Sequence, residues 1–195
     1  MSTVEIRPGR GSDADAVARV CRLTAEQGDP QPDDVADPDL VADVYARPYL
    51  ALEPTTARLL LADGVVVGYV VGALDSTAFY RRWQREWTPR HLPRRPGADP
   101  GLVELLTRPL GALPDGLHDY PSHLHVNLLP WARGGGHGAR LLGDFVDGLT
   151  RAGSAGVHLR VDPANTAARR FYLRLGFQPA TGNGDALVMV RPLQG

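Results

Sequence analysis

Four glycines fall within five positions of one predicted turn, at Gly134, Gly135, Gly136 and Gly138. An apolar strand pattern ends at Pro130 before them, and a helical pattern begins near Gly138. Glycine allows the backbone to approach a ligand closely and to adopt positive φ angles. The unpaired N–H groups at the start of a helix, together with the helix dipole, attract an anion. These residues therefore predict a phosphate-binding site.

The residues around these glycines exclude two common kinds of phosphate site. A P-loop requires Gly-Lys-Ser/Thr after the glycines, and all 21 basic residues of this chain are arginines. A dinucleotide-binding turn requires the spacing Gly-x-Gly-x-x-Gly at the start of the helix, which the segment 134–138 lacks. A nucleotide-binding protein of either kind is therefore disfavoured.

Two motifs resemble those of the GNAT acetyltransferase family. Arg133-x-x-Gly136-x-Gly138 resembles the family's acyl-CoA signature, Gln/Arg-x-x-Gly-x-Gly/Ala. The family's later motif, Asn-x-x-Ala-x-x-Phe-Tyr-x-x-x-Gly-Phe, is matched by Asn165, Ala168, Phe171, Tyr172, Gly176 and Phe177. The two motifs occur in the right order at a suitable separation, so the resemblance covers most of the chain.

The resemblance implies an α/β (α+β) fold with a mixed central sheet of about six to seven strands flanked by helices. In that fold two central parallel strands splay apart, and the pantetheine arm of acetyl-CoA enters the gap between them. The backbone near Leu128 and Leu129 would pair with the pantetheine amides. The implied cofactor-binding residues are Leu128, Leu129, Arg133, Gly134, Gly135, Gly136, His137, Gly138, Ala139, Asn165, Ala168 and Phe171.

Acyl transfer to an amine requires that the amine lose a proton, that an oxyanion be stabilised and that the leaving thiolate be protonated. Tyr172 resembles the family's tyrosine that donates a proton to the sulfur; its alternative role is to pack beside Phe171. Asp75 follows an apolar strand and is a candidate general base; its alternative role is to cap a helix that begins at Ser76. Both residues are catalytic candidates with a structural alternative.

The spacing of His123-x-His125 on one strand face would suit a metal. The sequence contains no second cluster of ligands and no Cys-x-x-Cys pair, so we expect no metal. Cys21 is the single cysteine and lies in a helical pattern, which indicates a buried structural thiol rather than a nucleophile.

The resemblance implies an N-acyltransferase that moves an acetyl group from acetyl-CoA to an amine by direct attack in a ternary complex, since no activated nucleophile is evident. The segments Val67–Asp75 and Trp87–Pro89 are also similar to the acetyltransferase-like domain at the C-terminus of eukaryotic O-GlcNAc hydrolases. This second similarity leaves an alternative open, a non-catalytic acyl-CoA-binding regulatory module with the same fold.

Periodicity predicts one domain over residues 1–195. An Asp-Gly pair at 63–64 between apolar runs predicts a hairpin. Residues 76–120, rich in arginine and tryptophan, are expected to form an insertion with one or two helices. The predicted strands are 3–7, 58–62, 65–74, 123–129, 156–161 and 186–191, and the predicted helices are 13–27, 40–46, 138–152 and 166–175.

The formal net charge of −1 favours neither nucleic acid nor an anionic membrane as a partner, and no apolar run is long enough to span a bilayer. We therefore expect a cytoplasmic protein, as a monomer or as a homodimer paired through its apolar last strand. The expected partners are acetyl-CoA or coenzyme A and an unidentified amine, either a small molecule or a protein.

Charge is uneven along the chain. Residues 26–43 hold seven acids and no arginine, and residues 81–95 hold six arginines. The acidic segment, including Asp33, Asp34 and Asp37, could favour a cationic amine or could simply be solvated. The arginine-rich segment could approach the 3′-phosphate of the cofactor or a partner, or could form a solvated face.

Overall fold

The computed structural model describes residues 3–26, 29–30, 32, 35–92, 95–112, 116–180 and 186–193. The strands are β1 Val4–Pro8, β2 Arg58–Ala62, β3 Val65–Ala73, β4 Ser122–Leu128, β5 Gly156–Val161, β6 Gln178–Pro179 and β7 Leu187–Pro192. The α-helices are α1 Ala14–Arg22, α2 Leu40–Tyr45, α3 Arg47–Leu52, α4 Ser76–Glu86, α5 Thr88–His91, α6 Pro100–Thr107, α7 His137–Arg151 and α8 Thr166–Arg174. Short 3-10 turns lie at Gly11–Asp13, Pro109–Ala112 and Pro130–Ala132.

The strands form one seven-stranded sheet in the order β1-β2-β3-β4-β5-β7-β6. Every neighbouring pair is antiparallel except β4 and β5, which run parallel. The sheet is mixed and flanked by helices, which confirms the fold class that the sequence predicts.

The parallel pair at the centre of the sheet separates almost as soon as it forms. Only Ser122 with Val157 and His123 with His158 are paired between β4 and β5. The rest of β4 remains paired with β3 as far as Leu128. The two strands therefore splay apart from position 124 onward, and the gap opens toward the C-terminal end of β4.

The two faces of the sheet carry different sets of helices. Residues directly opposite each other in an antiparallel pair share a face, so Tyr69 and Asn127 lie on the same side. That side packs against α1 to α4, where Tyr49 of α3 contacts the odd-numbered side chains of β4. The other side packs against α7 and α8, where Leu128 lies near the start of α7. The gap therefore connects two chemically distinct faces.

The insertion that the sequence places at 76–120 contains three α-helices among its described residues, one more than the most we predict. Two buried tryptophans join them to the rest of the molecule. The indole N–H of Trp83 donates to the Leu106 carbonyl at 3.1 Å, and that of Trp87 donates to the Asp43 carbonyl at 2.9 Å. The insertion thus forms part of the layer that covers the α1 to α4 face.

Other element boundaries differ from the prediction. The first helix ends at Arg22 and not at position 27, because three turn residues follow it. The predictions omit α3 and β6. We expected the last strand, β7, to pair across a dimer. It lies instead between β5 and β6, and Met189 and Val190 are already paired with β6.

The Asp63-Gly64 hairpin turn is confirmed, with φ angles of 49° and 79°. Within the part of the chain that the structure describes, no helix combines the length and apolar character needed to cross a membrane.

Candidate active site

The glycine-rich turn is anchored to the end of the sheet before it reaches the glycines. The N–H of Leu129 donates to the Val67 carbonyl at 2.9 Å, and a 3-10 turn at Pro130–Ala132 follows. Arg133 then folds back, with its Nε donating to the Leu128 carbonyl at 3.0 Å. These bonds fix the position from which the next residues leave β4.

The glycines adopt conformations that other residues adopt only with strain. Gly134 has a φ of 87°, and Gly136, the N-cap of α7, has a φ of 77°. A Cβ atom built on either glycine would meet no heavy atom within 4 Å. Space in front of these two backbone units is therefore open, and the first N–H groups of α7, which lack partners inside the helix, face that end.

Two further residues of the turn line the same region. Nδ1 of His137 is the one buried side-chain nitrogen or oxygen without a hydrogen-bond partner among the described residues. A Cβ on Gly138 would lie 3.5 Å from the Phe171 ring and 3.7 Å from Leu128. Ala139 follows in the first turn of α7. The start of α7 is therefore narrow, close to α8, and contains an unsatisfied polar atom.

The later motif is explained by the way α8 begins. Oδ1 of Asn165 accepts a hydrogen bond from the Ala168 N–H at 3.0 Å, so Asn165 caps the helix. This cap sets the start of α8, and Phe171 then lies against Gly138 on α7. The cap at Asn165 and the contact of Phe171 with Gly138 therefore place α8 next to the glycine-rich turn.

Tyr172 lies in α8 beside two aromatic rings, at centroid distances of 5.4 Å from Phe171 and 5.7 Å from Phe177. Its side chain is buried, and burial raises the pKa of the phenol. Its hydroxyl has no hydrogen-bond partner among the described residues. A neutral phenol with an unused proton is available on the α8 side of the sheet.

The structure does not bring Asp75 to the gap. Asp75 is the N-cap of α4, where its exposed carboxylate accepts from the Ala78 N–H at 2.8 Å. It follows the end of β3, and Ala73 pairs with His123 at the closed end of the β4–β5 pair. The helix-cap alternative is thus the one realised, because the gap opens at the opposite end of these strands.

One expected backbone contact also needs correction. Backbone groups of successive strand residues point to alternate edges of a strand. Leu129 points toward β3, because its N–H is bonded to Val67. Leu128 and Val126 therefore present their N–H and carbonyl groups to the gap, and Leu129 does not.

A group of aromatic and imidazole side chains lies on the α1 to α4 face beside the gap. The Tyr49 hydroxyl lies 2.9 Å from Nε2 of His123 and 2.9 Å from Nε2 of His125. Nδ1 of His123 lies 2.7 Å from the Ser76 hydroxyl. The sequence shows only the alternation of the two histidines, because the tyrosine comes from α3, more than 70 residues earlier.

Burial is the main cause of the low pKa values of these histidines. It brings the pKa of His125 to about 4, with smaller contributions from the charges of His158 and Arg160. The pKa of His123 is well below its usual range for the same reason. Both histidines point to Tyr49 and not to a common ligand position, and the described residues contain no group of three or more potential metal ligands.

Several acids of the segment 26–43 form ion pairs with arginines, of which Arg95 belongs to the arginine-rich segment and Arg22 and Arg47 do not. Asp37 pairs with Arg95 at 2.8 Å, and the buried Asp43 pairs with Arg47 at 3.0 Å and with Arg95. Asp39 pairs with Arg22 at 2.5 Å. Asp33 and Asp34 lie outside the described residues. Asp37, Asp39 and Asp43 therefore hold α1, α2 and the insertion together, and each of these three carboxylates is paired with an arginine.

The fold combines a splayed strand pair, β4 and β5, with an open glycine-rich turn after β4. The sequence model of the Acetyltransferase (GNAT) family matches residues 26–177. The chain belongs to this family. The GNAT resemblance of the two motifs is thereby confirmed.

Individual relatives agree with this membership. The crystal structure of SsHAT is 36% identical, with a TM-score of 0.91, and the match covers 99% of this chain and 100% of that one. Diaminobutyrate acetyltransferase EctA from Paenibacillus lautus, solved with its substrate and coenzyme A, is 15% identical with a TM-score of 0.58 over 100% of this chain and 98% of that one. The second likeness shows the GNAT fold alone.

Protein O-GlcNAcase of Rattus norvegicus is 25% identical over 201 residues, which is 96% of this chain. The chain spans 22% of the length of that protein. The similarity to O-GlcNAc hydrolases that the sequence indicates is therefore confirmed. It is limited to one region of a much longer protein.

Proposed function

We propose that this GNAT protein transfers an acetyl group from acetyl-CoA to an amine by direct attack in a ternary complex. The observation that carries the proposal is the glycine-rich turn, whose Gly134 and Gly136 have positive φ angles and open space in front of them. An anion fits there because unpaired N–H groups and the helix dipole converge on it. The turn stands at the mouth of the gap between β4 and β5.

The residues present fit acyl-CoA at three points. The backbone of Gly134, Gly136 and the first turn of α7 would bind the pyrophosphate. The orphaned Nδ1 of His137 supplies a polar group that a phosphate could satisfy. The backbone of Leu128 and Val126 lines the gap, where it would bond to the pantetheine amides in place of the missing strand.

The reaction is a displacement at the thioester carbon. The amine nitrogen forms the new C–N bond, the C–S bond breaks, and the nitrogen loses a proton. The departing thiolate would take a proton from Tyr172, whose ring is buried and whose hydroxyl has no hydrogen-bond partner among the described residues. Because burial raises the pKa of this phenol, its contribution would come from its position close to the sulfur and not from acid strength.

Calorimetric titration with acetyl-CoA tests the proposal, with Gly136→Glu as the disrupting variant. Gly153→Glu is a matched control, since Gly153 has a φ of 83°, also has open space around it, and lies just beyond the other end of α7. We expect micromolar binding by the wild type and by the control, and none by Gly136→Glu. Absence of wild-type binding would contradict the proposal, and binding without turnover of any amine would indicate a regulatory module.

A further inference from the structure

His125 stands where the two central strands part. It lies on β4 two residues beyond His123, the last residue paired with β5. Arg160 lies two residues beyond His158 on β5, so Arg160 and His125 flank the start of the gap on the same face of the sheet. An acyl group that reaches this point from the α7 side would meet the amine from the side of His125.

The tautomers of His123 and His125 follow from the donors and acceptors of the hydrogen-bonded series that links them to Ser76 through Tyr49. The Ser76 hydroxyl lies 2.6 Å from the Pro121 carbonyl, which carries no proton, so Ser76 must donate there. Nδ1 of His123, 2.7 Å from the same hydroxyl, must then donate to Ser76. Nε2 of His123 is left as an acceptor and receives the Tyr49 proton.

The same accounting continues to the gap. Because Tyr49 has given its proton to His123, Nε2 of His125 must carry the proton of its 2.9 Å bond to Tyr49. Nδ1 of His125 is then the nitrogen with a free lone pair. No described residue bonds to it, and it is not a buried orphan atom, so it is open to the gap.

We propose that Nδ1 of His125 is the general base that takes the proton from the attacking amine, with Tyr49, His123 and Ser76 as positioning residues that hold it in the required tautomer. This inference rests on the proposed function. It assigns a role to the Tyr49 hydroxyl and to both histidines of β4, which the cofactor site does not use.

The groups around His125 determine its protonation state and therefore the step at which it can accept a proton. Facing His125 are Tyr45 at a ring distance of 5.3 Å, Tyr49, His123, His158 and Arg160, and Tyr80 stacks on the neighbouring His123. None of them carries a negative charge at neutral pH, and burial keeps His125 neutral, with its lone pair free. An imidazole of low pKa is matched to a nitrogen that has already attacked the thioester, because that nitrogen is positively charged and strongly acidic.

The proton and electron balance is complete. The neutral amine forms the C–N bond, the N–H proton moves to Nδ1 of His125, and the oxyanion re-forms the carbonyl as the C–S bond breaks. The electron pair leaves with the thiolate, which is protonated by Tyr172 or water. The imidazolium then releases its proton to solvent, and Tyr172, where it has acted as the acid, regains a proton from solvent.

Nitrogen-15 NMR of histidine-labelled protein at pH 7.5 tests the assignment without any acceptor. We expect His125 as the Nε2–H tautomer and His123 as the Nδ1–H tautomer. In Tyr49→Phe, which keeps the ring that stacks on Phe79, His125 should become a tautomer mixture. An Nδ1–H tautomer of His125 in the wild type would overturn the proposal.

Turnover tests the chemical role, with spermidine, glucosamine and an alanyl peptide as acceptors. His125→Gln should lower kcat at least about 100-fold while acetyl-CoA binds as in the wild type. Tyr49→Phe should lower kcat about 10-fold at unchanged KM for acetyl-CoA. His158→Gln is the matched control, since its Nδ1 bonds to the Tyr120 carbonyl and not toward the gap.

The outcomes separate the two proposals. Full activity of His125→Gln would overturn the base. Absence of acetyl-CoA binding by the wild type would overturn the proposed function. Binding with the expected tautomers but no turnover of any acceptor would overturn the role of His125 as a base and leave the cofactor site standing.

Discussion

Arg133 directs its guanidinium back to the strand it follows, with Nε donating to the Leu128 carbonyl at 3.0 Å. This bond closes the turn at the point where β4 ends. The basic residue of the acyl-CoA signature therefore has a structural role in this chain, because it holds the loop whose backbone would contact the phosphates.

Arg133→Ala should weaken acetyl-CoA binding about 10-fold, because the loss of one charge-assisted hydrogen bond of ~1.5 kcal/mol loosens the turn. Calorimetry measures the change. Arg151→Ala is the matched control, since Arg151 also donates through Nε to a backbone carbonyl, that of Asp147, at the far end of α7. Equal effects of the two variants would show that the Arg133 bond has no specific role.

Gly134→Ala should destabilise the protein by about 1–2 kcal/mol, because the alanine must adopt the left-handed conformation at φ 87°. It should also weaken acetyl-CoA binding. Gly143→Ala, inside α7 with open space around it, should instead stabilise the protein by roughly 0.5–1 kcal/mol. Denaturant unfolding compares them, and a neutral Gly134→Ala would mean that the strained turn relaxes at no cost.

Tyr172→Phe should lower kcat by roughly 100-fold and leave the affinity for acetyl-CoA unchanged, because it removes a proton donor and keeps the ring. Steady-state kinetics with the best acceptor measures both parameters. Phe171→Leu serves for comparison, since it alters the contact with Gly138 and should raise KM for acetyl-CoA. A Tyr172→Phe variant with unchanged kcat would assign the tyrosine to packing.

Asp75→Ala should cost about 1 kcal/mol of stability and leave turnover within twofold of the wild type, because its carboxylate caps α4 at the closed end of the central strand pair. Asp75→Asn, which keeps a capping oxygen, should restore most of the stability. A large loss of kcat in both variants would return Asp75 to the list of catalytic groups.

Acid should destabilise the fold through the buried histidines. Their pKa values are lowered by burial, that of His125 from 6.5 to about 4, so between these pH values the unfolded chain binds more protons than the folded one. The stabilisation is complete above pH 6.5 and is lost as the pH falls toward 4. Thermal melting at pH 8, 7, 6 and 5 should show this, with a shallower decline in His125→Gln.

The sequence predicts the geometry of the glycine-rich turn and the start of α8 well, because the signals for both are local. The glycine spacing, the Asn165 cap and the C′ glycine Gly176, with a φ of 83°, each depend on a few consecutive residues. The Asp63-Gly64 hairpin is predictable for the same reason.

The group formed by Tyr49, His123 and His125 depends on contacts between distant segments, which a single sequence does not display. Tyr49 contacts His123 and His125 only after α3 packs on the sheet. The helix α3 is hard to detect because a single residue separates it from α2 and its second residue is Pro48. The ion pair between Asp43 and Arg95, 52 residues apart, is also invisible in the sequence, where the acidic and the arginine-rich segments look independent.

Strands β4 and β5 are paired at two positions only, so the sheet consists of a four-stranded part and a three-stranded part that are weakly linked. A ligand in the gap that bonds to both strands would act as the missing rung of the ladder. Amides of β4 and β5 should then exchange hydrogen with solvent more slowly when acetyl-CoA is bound. The rate at which these two strands separate would then limit the rate at which coenzyme A dissociates after the reaction.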